Sequence, residues 1–179
     1  MKSFDTDLSG VKIIELDKYE DSRGFFYESY NKKKYSAVGI DYDFVQDNHS
    51  FSKKGVLRGL HYQVNNPQGK LVSCLKGSVF DVALDIDTNS KTYGKYVGIE
   101  LTDKNNLQLW IPPGYAHGFC VLSEFADFYY KCTSFYNPQD EAGVIWNDKF
   151  ANIDWPEKKP ILSEKDLALP GLNFKENVR

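Results

Sequence analysis

The chain is a series of short runs rich in Val, Ile, Tyr and Phe, each closed by a turn signal. That pattern restricts its fold more than any other feature. Such runs cover Lys12–Leu16, Gly24–Ser29, Phe44–Ser52, Val56–Gln63, Lys70–Lys76, Ser78–Ile86, Lys95–Leu101, Gln108–Ile111, His117–Leu122, Ala126–Cys132 and Gly143–Trp146. Between them stand Lys54-Gly55, Asn65-Asn66-Pro67, Lys76-Gly77, Asp103-Lys104-Asn105-Asn106 and Pro112-Pro113-Gly114. Helical patterns are confined to Lys32–Val38, behind the capping residue Asn31, and to Ser163–Leu167, which opens on a second cap candidate. Many short strands and little helix imply an all-β protein, a β-sandwich or jelly roll with a few short peripheral helices. An aromatic content of 15% suits such sheets. At 179 residues a single domain is expected, with the segment from about residue 147, rich in Pro, Trp and charge, wrapping the barrel.

Charge and cysteine content exclude several roles. The net charge of -3 offers no basic face for nucleic acid, and the run Lys32-Lys33-Lys34 reads as a solvated helix face. Cys74, Cys120 and Cys132 lie in apolar or β-like stretches without a CxxC pattern, as expected of buried free thiols in a reducing cytoplasm. No apolar run approaches a membrane span, and Met1-Lys2-Ser3-Phe4-Asp5 lacks the apolar region of a signal peptide.

Chemistry concentrates at Val56-Leu57-Arg58-Gly59-Leu60-His61-Tyr62-Gln63 and Gln68-Gly69-Lys70. Histidine carries protons near neutral pH, while arginine and lysine hold anions or a developing oxyanion. Strict alternation would put Arg58 and His61 on opposite faces, so a shared pocket requires a twist or bulge between them. His117 follows the Pro-Pro-Gly turn, where a loop meets a strand. His49, inside Gln46-Asp47-Asn48-His49, is a weaker candidate. In Asp127-Phe128-Tyr129-Tyr130-Lys131 the two tyrosines face opposite ways, which leaves one for the core and one for a pocket.

Gly55-x5-His61-x-Gln63 with Lys70-x6-Gly77, and later Pro112-x-Gly114-x2-His117, have the spacing of the two cupin motifs. Metal-binding cupins carry a second histidine where Gln63 stands and a glutamate where Lys70 stands. An ammonium repels a divalent cation and has no lone pair to give it. The pocket is therefore expected to hold no metal.

Further blocks accompany these residues: Asp21-Ser22-Arg23-Gly24-Phe25-Phe26-Tyr27-Glu28, Phe44-Val45-Gln46-Asp47-Asn48-His49-Ser50, Gln68-Gly69-Lys70-Leu71-Val72, Phe80-Asp81-Val82-Ala83-Leu84-Asp85, Leu109-Trp110-Ile111-Pro112, Ala116-His117-Gly118-Phe119, Tyr130-Lys131 and Ile153-Asp154-Trp155-Pro156. From about Ile13 to Leu169 the chain resembles the dTDP-4-dehydrorhamnose 3,5-epimerase family of metal-free cupins. The resemblance implies a cupin-type jelly roll, no cofactor, a nucleotide-sugar substrate and a cytoplasmic homodimer whose N-terminal strands reach the partner's pocket. It makes His61 the general base, Asp166 its partner carboxylate, Tyr130 the general acid and Lys70 the lysine at the C4 oxygen. Arg23, Phe26, Glu28, Gln46, Asp47, Asn48, Arg58, His117, Glu141 and Lys165 become substrate contacts, and Tyr136 the aromatic that stacks on the base.

The chemistry suits these residue types. A 4-keto sugar has acidified C–H bonds at C3 and C5. A base removes one proton, a cation steadies the enolate, and a separate acid returns a proton to the opposite face. Two other readings stay open: a single-site epimerase of another nucleotide deoxysugar, and a sugar-nucleotide-binding cupin without catalysis.

Overall fold

The computed structural model describes residues 1–172. Thirteen strands and two short helices follow in order: β1 (Lys2–Asp5), β2 (Lys12–Glu15), β3 (Lys18–Asp21), β4 (Gly24–Tyr27), α1 (Lys32–Ala37), β5 (Gln46–Lys53), β6 (Leu57–Gln63), β7 (Lys70–Lys76), β8 (Ser78–Asp85), β9 (Tyr96–Thr102), β10 (Leu107–Ile111), β11 (Tyr115–Val121), β12 (Phe125–Cys132), β13 (Glu141–Gly143) and α2 (Glu164–Leu167). A six-stranded sheet, β1-β2-β10-β7-β12-β5, faces a five-stranded sheet, β13-β6-β11-β8-β9, and β3-β4 form a separate hairpin. The all-β jelly-roll expectation holds.

Ten expected strands appear within a few residues of their expected bounds. The eleventh, expected at Gly143–Trp146, lies earlier, at Glu141–Gly143, where it pairs with the far end of β6. The short strands β1 and β3 carry no alternation strong enough to read in isolation. β1 gains its order by pairing with β2. Both helices start at the expected caps: Asn31 accepts from the Lys34 amide, and Ser163 from the Asp166 amide.

Period-2 alternation divides each strand between two surroundings. In β12, Ala126, Phe128, Tyr130 and Cys132 point between the sheets, while Tyr129 and Lys131 face outward. Val72, Cys74, Val79, Leu101, Leu109, Val121 and Phe128 fill one end of the sandwich as an apolar core. At the other end the inward positions turn polar, and there the sandwich opens.

The tail covers the outer face of the five-stranded sheet. Val144, Ala151 and Trp155 pack on Leu57, Leu60, Val82, Leu84 and Cys120. Trp155 is buried, and its indole donates to the Trp146 carbonyl at 2.7 Å. Ile161 then forms a parallel bridge to Val56, which sets α2 at the open end beside β6. Cys74, Cys120 and Cys132 are buried free thiols. No helix among the described residues is long and apolar enough to cross a membrane.

Candidate active site

The open end encloses a cavity of about 470 Å³ lined in part by Arg58, His61, Lys70, His117, Tyr130, Lys165 and Asp166. Its walls belong to different sheets. Arg58, His61 and His117 come from β6 and β11 of the five-stranded sheet, and Lys70 and Tyr130 from β7 and β12 of the six-stranded one. Lys165 and Asp166 arrive on α2.

Local backbone geometry brings Arg58 and His61 to one side. His117 pairs with His61, but Phe119 pairs with Arg58, so β6 carries one extra residue between the two pairings. Leu57 and Leu60 both pack under the tail, and Arg58 and His61 both face the cavity. The break in alternation falls at Gly59, whose φ is +123°. A β-bulge of this kind moves every later side chain to the other face. A Cβ on Gly59 would lie 2.5 Å from Gly118 Cα and 2.8 Å from the His117 carbonyl oxygen.

Asp166 Oδ1 lies 2.6 Å from His61 Nε2, which fixes the ring and leaves Nδ1 for chemistry. Desolvation works against the Asp166 carboxylate, but the His61 and Ser163 hydrogen bonds and nearby charge outweigh it and lower its pKa. His117 Nε2 lies 2.9 Å from Asp81 Oδ2, a second imidazole–aspartate pair. Burial pushes the His117 pKa down, so this imidazole stays neutral. Burial also lowers the Lys70 pKa, making its ammonium readier to give a proton. The Tyr130 phenol is pushed up to about 12, mainly by burial, and holds its proton at neutral pH. The rings of Tyr130 and His117 are 6.3 Å apart across the cavity.

At the rim, Tyr136 and Lys165 both donate to Glu141 Oε2. Gln46 Oε1 accepts the Tyr136 amide at 2.8 Å, and Gln46 donates to Asn48 at 3.1 Å. This links Gln46, Asn48, Tyr136 and Glu141 in one chain of hydrogen bonds to Lys165, which lines the cavity.

Other expected contacts lie elsewhere. Asp47 points to the outer face of its sheet and pairs with Lys131 at 2.7 Å, because alternation separates it from Asn48. His49 shares that outer face, 2.9 Å from Asp127. Arg23, Phe26 and Glu28 sit on or just after the β3-β4 hairpin, away from the cavity. Arg23 pairs with Asp21, Glu28 with Lys34, and Phe26 is 69% exposed. Asp81 meets His117 without any motif that marks it. Its only sequence signal is a carboxylate at an inward position of an apolar strand.

The cupin metal positions are occupied by groups that do not suit a metal. Gln63 is buried, with its amide committed to the Asn66 and Phe135 carbonyls and the Asn137 amide. Lys70 lines the cavity with an amine where a metal-binding cupin has its glutamate, and offers a cation no anionic ligand.

A model of the dTDP-4-dehydrorhamnose 3,5-epimerase family matches residues 5–173. The chain belongs to that family. It is 54% identical over 169 residues to the dTDP-4-dehydrorhamnose 3,5-epimerase of Shigella flexneri, covering 93% of each chain. The fold superimposes with a TM-score of 0.93 on the dTDP-6-deoxy-D-glucose-3,5-epimerase of Legionella pneumophila in complex with dTDP-4-keto-L-rhamnose. That pair is 52% identical, covering 96% of this chain and 92% of the other. A Streptomyces bikiniensis 3'-monoepimerase in complex with dTDP-quinovose is also similar, at 29% identity and a TM-score of 0.87, covering 93% and 86%. Proteins named 3,5-epimerase and 3'-monoepimerase thus share this scaffold.

Proposed function

We propose that this chain inverts C3 and C5 of dTDP-4-dehydro-6-deoxy-D-glucose, giving dTDP-4-dehydro-L-rhamnose without metal or cofactor. The observation that carries the reading is the placement of His61, oriented by Asp166, and Tyr130 on facing sheets of one cavity that Lys70 also enters. Identity above 50% to 3,5-epimerases supports the double inversion over the single one.

In this mechanism His61 Nδ1 takes the proton from a carbon next to the C4 carbonyl. The electron pair moves to O4, where Lys70 stabilises the enolate. Tyr130 returns a proton from the opposite wall, which inverts the centre. His61 then releases its proton to solvent and Tyr130 regains one, and repetition at the other carbon completes the reaction. Neutral His117, held by Asp81, and Arg58 position the sugar and its diphosphate.

The active assembly is a cytoplasmic homodimer. The β3-β4 hairpin leaves Phe25 and Phe26 more than half exposed beside Arg23. A second copy would cover those aromatics and receive the arginine at its own cavity, where it would meet the diphosphate.

Incubation with the 4-keto sugar in D2O, with a coupled reductase to trap product, tests the reading. Deuterium at C3 and C5 with L-rhamnose after trapping is expected. Label at one carbon would make the protein a single-site epimerase, and label at neither would remove the activity.

A further inference from the structure

His61 is flanked by two carboxylates, one toward each ring nitrogen. Asp166 Oδ1 is 2.6 Å from Nε2, and Glu141 Oε1 is 4.0 Å from Nδ1. Glu141 is placed by β13, whose Gly143 pairs with His61 and whose Glu141 pairs with Gln63, so the carboxylate approaches diagonally. Its side chain is only 11% exposed, and its second oxygen is held by Tyr136 and Lys165.

A separation of 4.0 Å is too long for a hydrogen bond. Glu141 therefore leaves the Nδ1 lone pair free to take a proton from substrate. Once a proton arrives there, the carboxylate is near enough to favour the charged ring. Burial works against the Glu141 anion, but the hydrogen bonds from Lys165 and Tyr136 and the nearby His61 outweigh it and lower its pKa, so the group is ionised at neutral pH.

We propose that Glu141 is a positioning residue that strengthens His61 as a base from the nitrogen opposite Asp166, with Tyr136 and Lys165 setting its distance from the ring. The inference rests on the proposed role of His61 in proton abstraction. It assigns the rim a task beyond substrate contact. Tyr136, the expected seat of the nucleotide base, is wired through its hydroxyl to the group that tunes proton removal.

The surrounding charges make the effect readable. Lys165 from α2, Arg58 from β6 and Lys70 from β7 oppose a proton on His61, while Asp166 and Glu141 favour one. His117 from β11 and Tyr130 from β12 face the same cavity as neutral groups. Removing one of the two anions widens the excess of cations.

The test is an NMR titration of the His61 imidazole in ligand-free protein, which reads the effect independently of turnover. With Glu141→Gln the midpoint should fall, and the acid limb of kcat/KM should move down with it. Glu141→Asp keeps the charge but withdraws the carboxylate from the ring by one methylene, and should shift the midpoint the same way by less. This second variant decides the matter if Glu141→Gln does not fold. Unmoved midpoints in the folded variants overturn the proposal. A raised KM with the midpoint unmoved would also overturn it, because Glu141 would then act only as a ligand contact. Absence of deuterium exchange by the wild-type protein would instead defeat the epimerase reading, while leaving the titration valid.

Discussion

His61 and His117 stand directly opposite each other on β6 and β11, and each lays its Nε2 against an aspartate from another part of the chain. The two pairs differ in access to the cavity. The His61 side chain is 28% exposed and that of His117 only 7%. His117 is kept neutral by burial and serves as a fixed polar group. His61 is the more accessible of the two to a ligand in the cavity. In the proposed mechanism one sheet thus supplies both the base and a hydrogen-bonding anchor, distinguished by depth.

Tyr130→Phe separates abstraction from inversion. Deuterium exchange should persist at a reduced rate while formation of the L-sugar falls by about 10²-fold or more. Comparison of label uptake with trapped L-rhamnose checks this. An unchanged ratio would place the acid at another residue.

Lys70→Met should abolish turnover and raise stability. The folded state holds the Lys70 pKa below its ordinary value of 10.5, chiefly through burial. At neutral pH the folded protein carries the cost of burying this amine. Between the depressed folded pKa and 10.5, the folded state releases this proton before the unfolded state does, so wild-type stability from this group rises with pH. The variant should therefore melt a few degrees higher at pH 7, an advantage of about 1 kcal/mol or more. That advantage should shrink as pH approaches 10.5. Thermal melts across pH measure it, and a variant less stable than wild type at pH 7 would contradict it.

Gly59→Ala places a methyl group against the β11 backbone at a φ of +123°. Destabilisation of about 2–4 kcal/mol is expected from the clash and the strained conformation. Gly114→Ala, also at positive φ but with no atom within 4 Å of the added carbon, is the control and should cost less. Denaturant midpoints of the two variants make the comparison.

Arg23→Ala and His61→Ala test the dimer by complementation. Each homodimer should be nearly inactive. Mixed dimers should regain activity, because the intact cavity of the Arg23→Ala chain receives the intact hairpin of the other. Failure of mixing to restore any rate, with mixed dimers confirmed by mass, would show that Arg23 acts within its own chain or outside the site.

Strand content was legible because alternating side chains and Gly/Pro/Asn turns are local properties. The change from apolar to polar inward residues along β7 and β12 could also be read, at Lys70 and Tyr130. The β6 bulge could only be anticipated as a requirement. Alternation alone puts Arg58 and His61 on opposite faces, and the extra residue shows only against β11. Asp47 illustrates the reverse: adjacent to Asn48 in sequence, it is turned outward by the strand's own period.

The sequence by itself determined the strands, the helix caps, the buried thiols and the residue types of the chemistry. Those depend on interactions within a few neighbouring residues. Tertiary structure decided which of these groups meet. Asp166 reaches His61 across 105 positions because Trp155 and Ile161 anchor the tail, and Asp81 meets His117 because β8 and β11 pair in one particular register. Such contacts depend on how sheets stack and where a tail docks, which are set by packing of the whole sandwich.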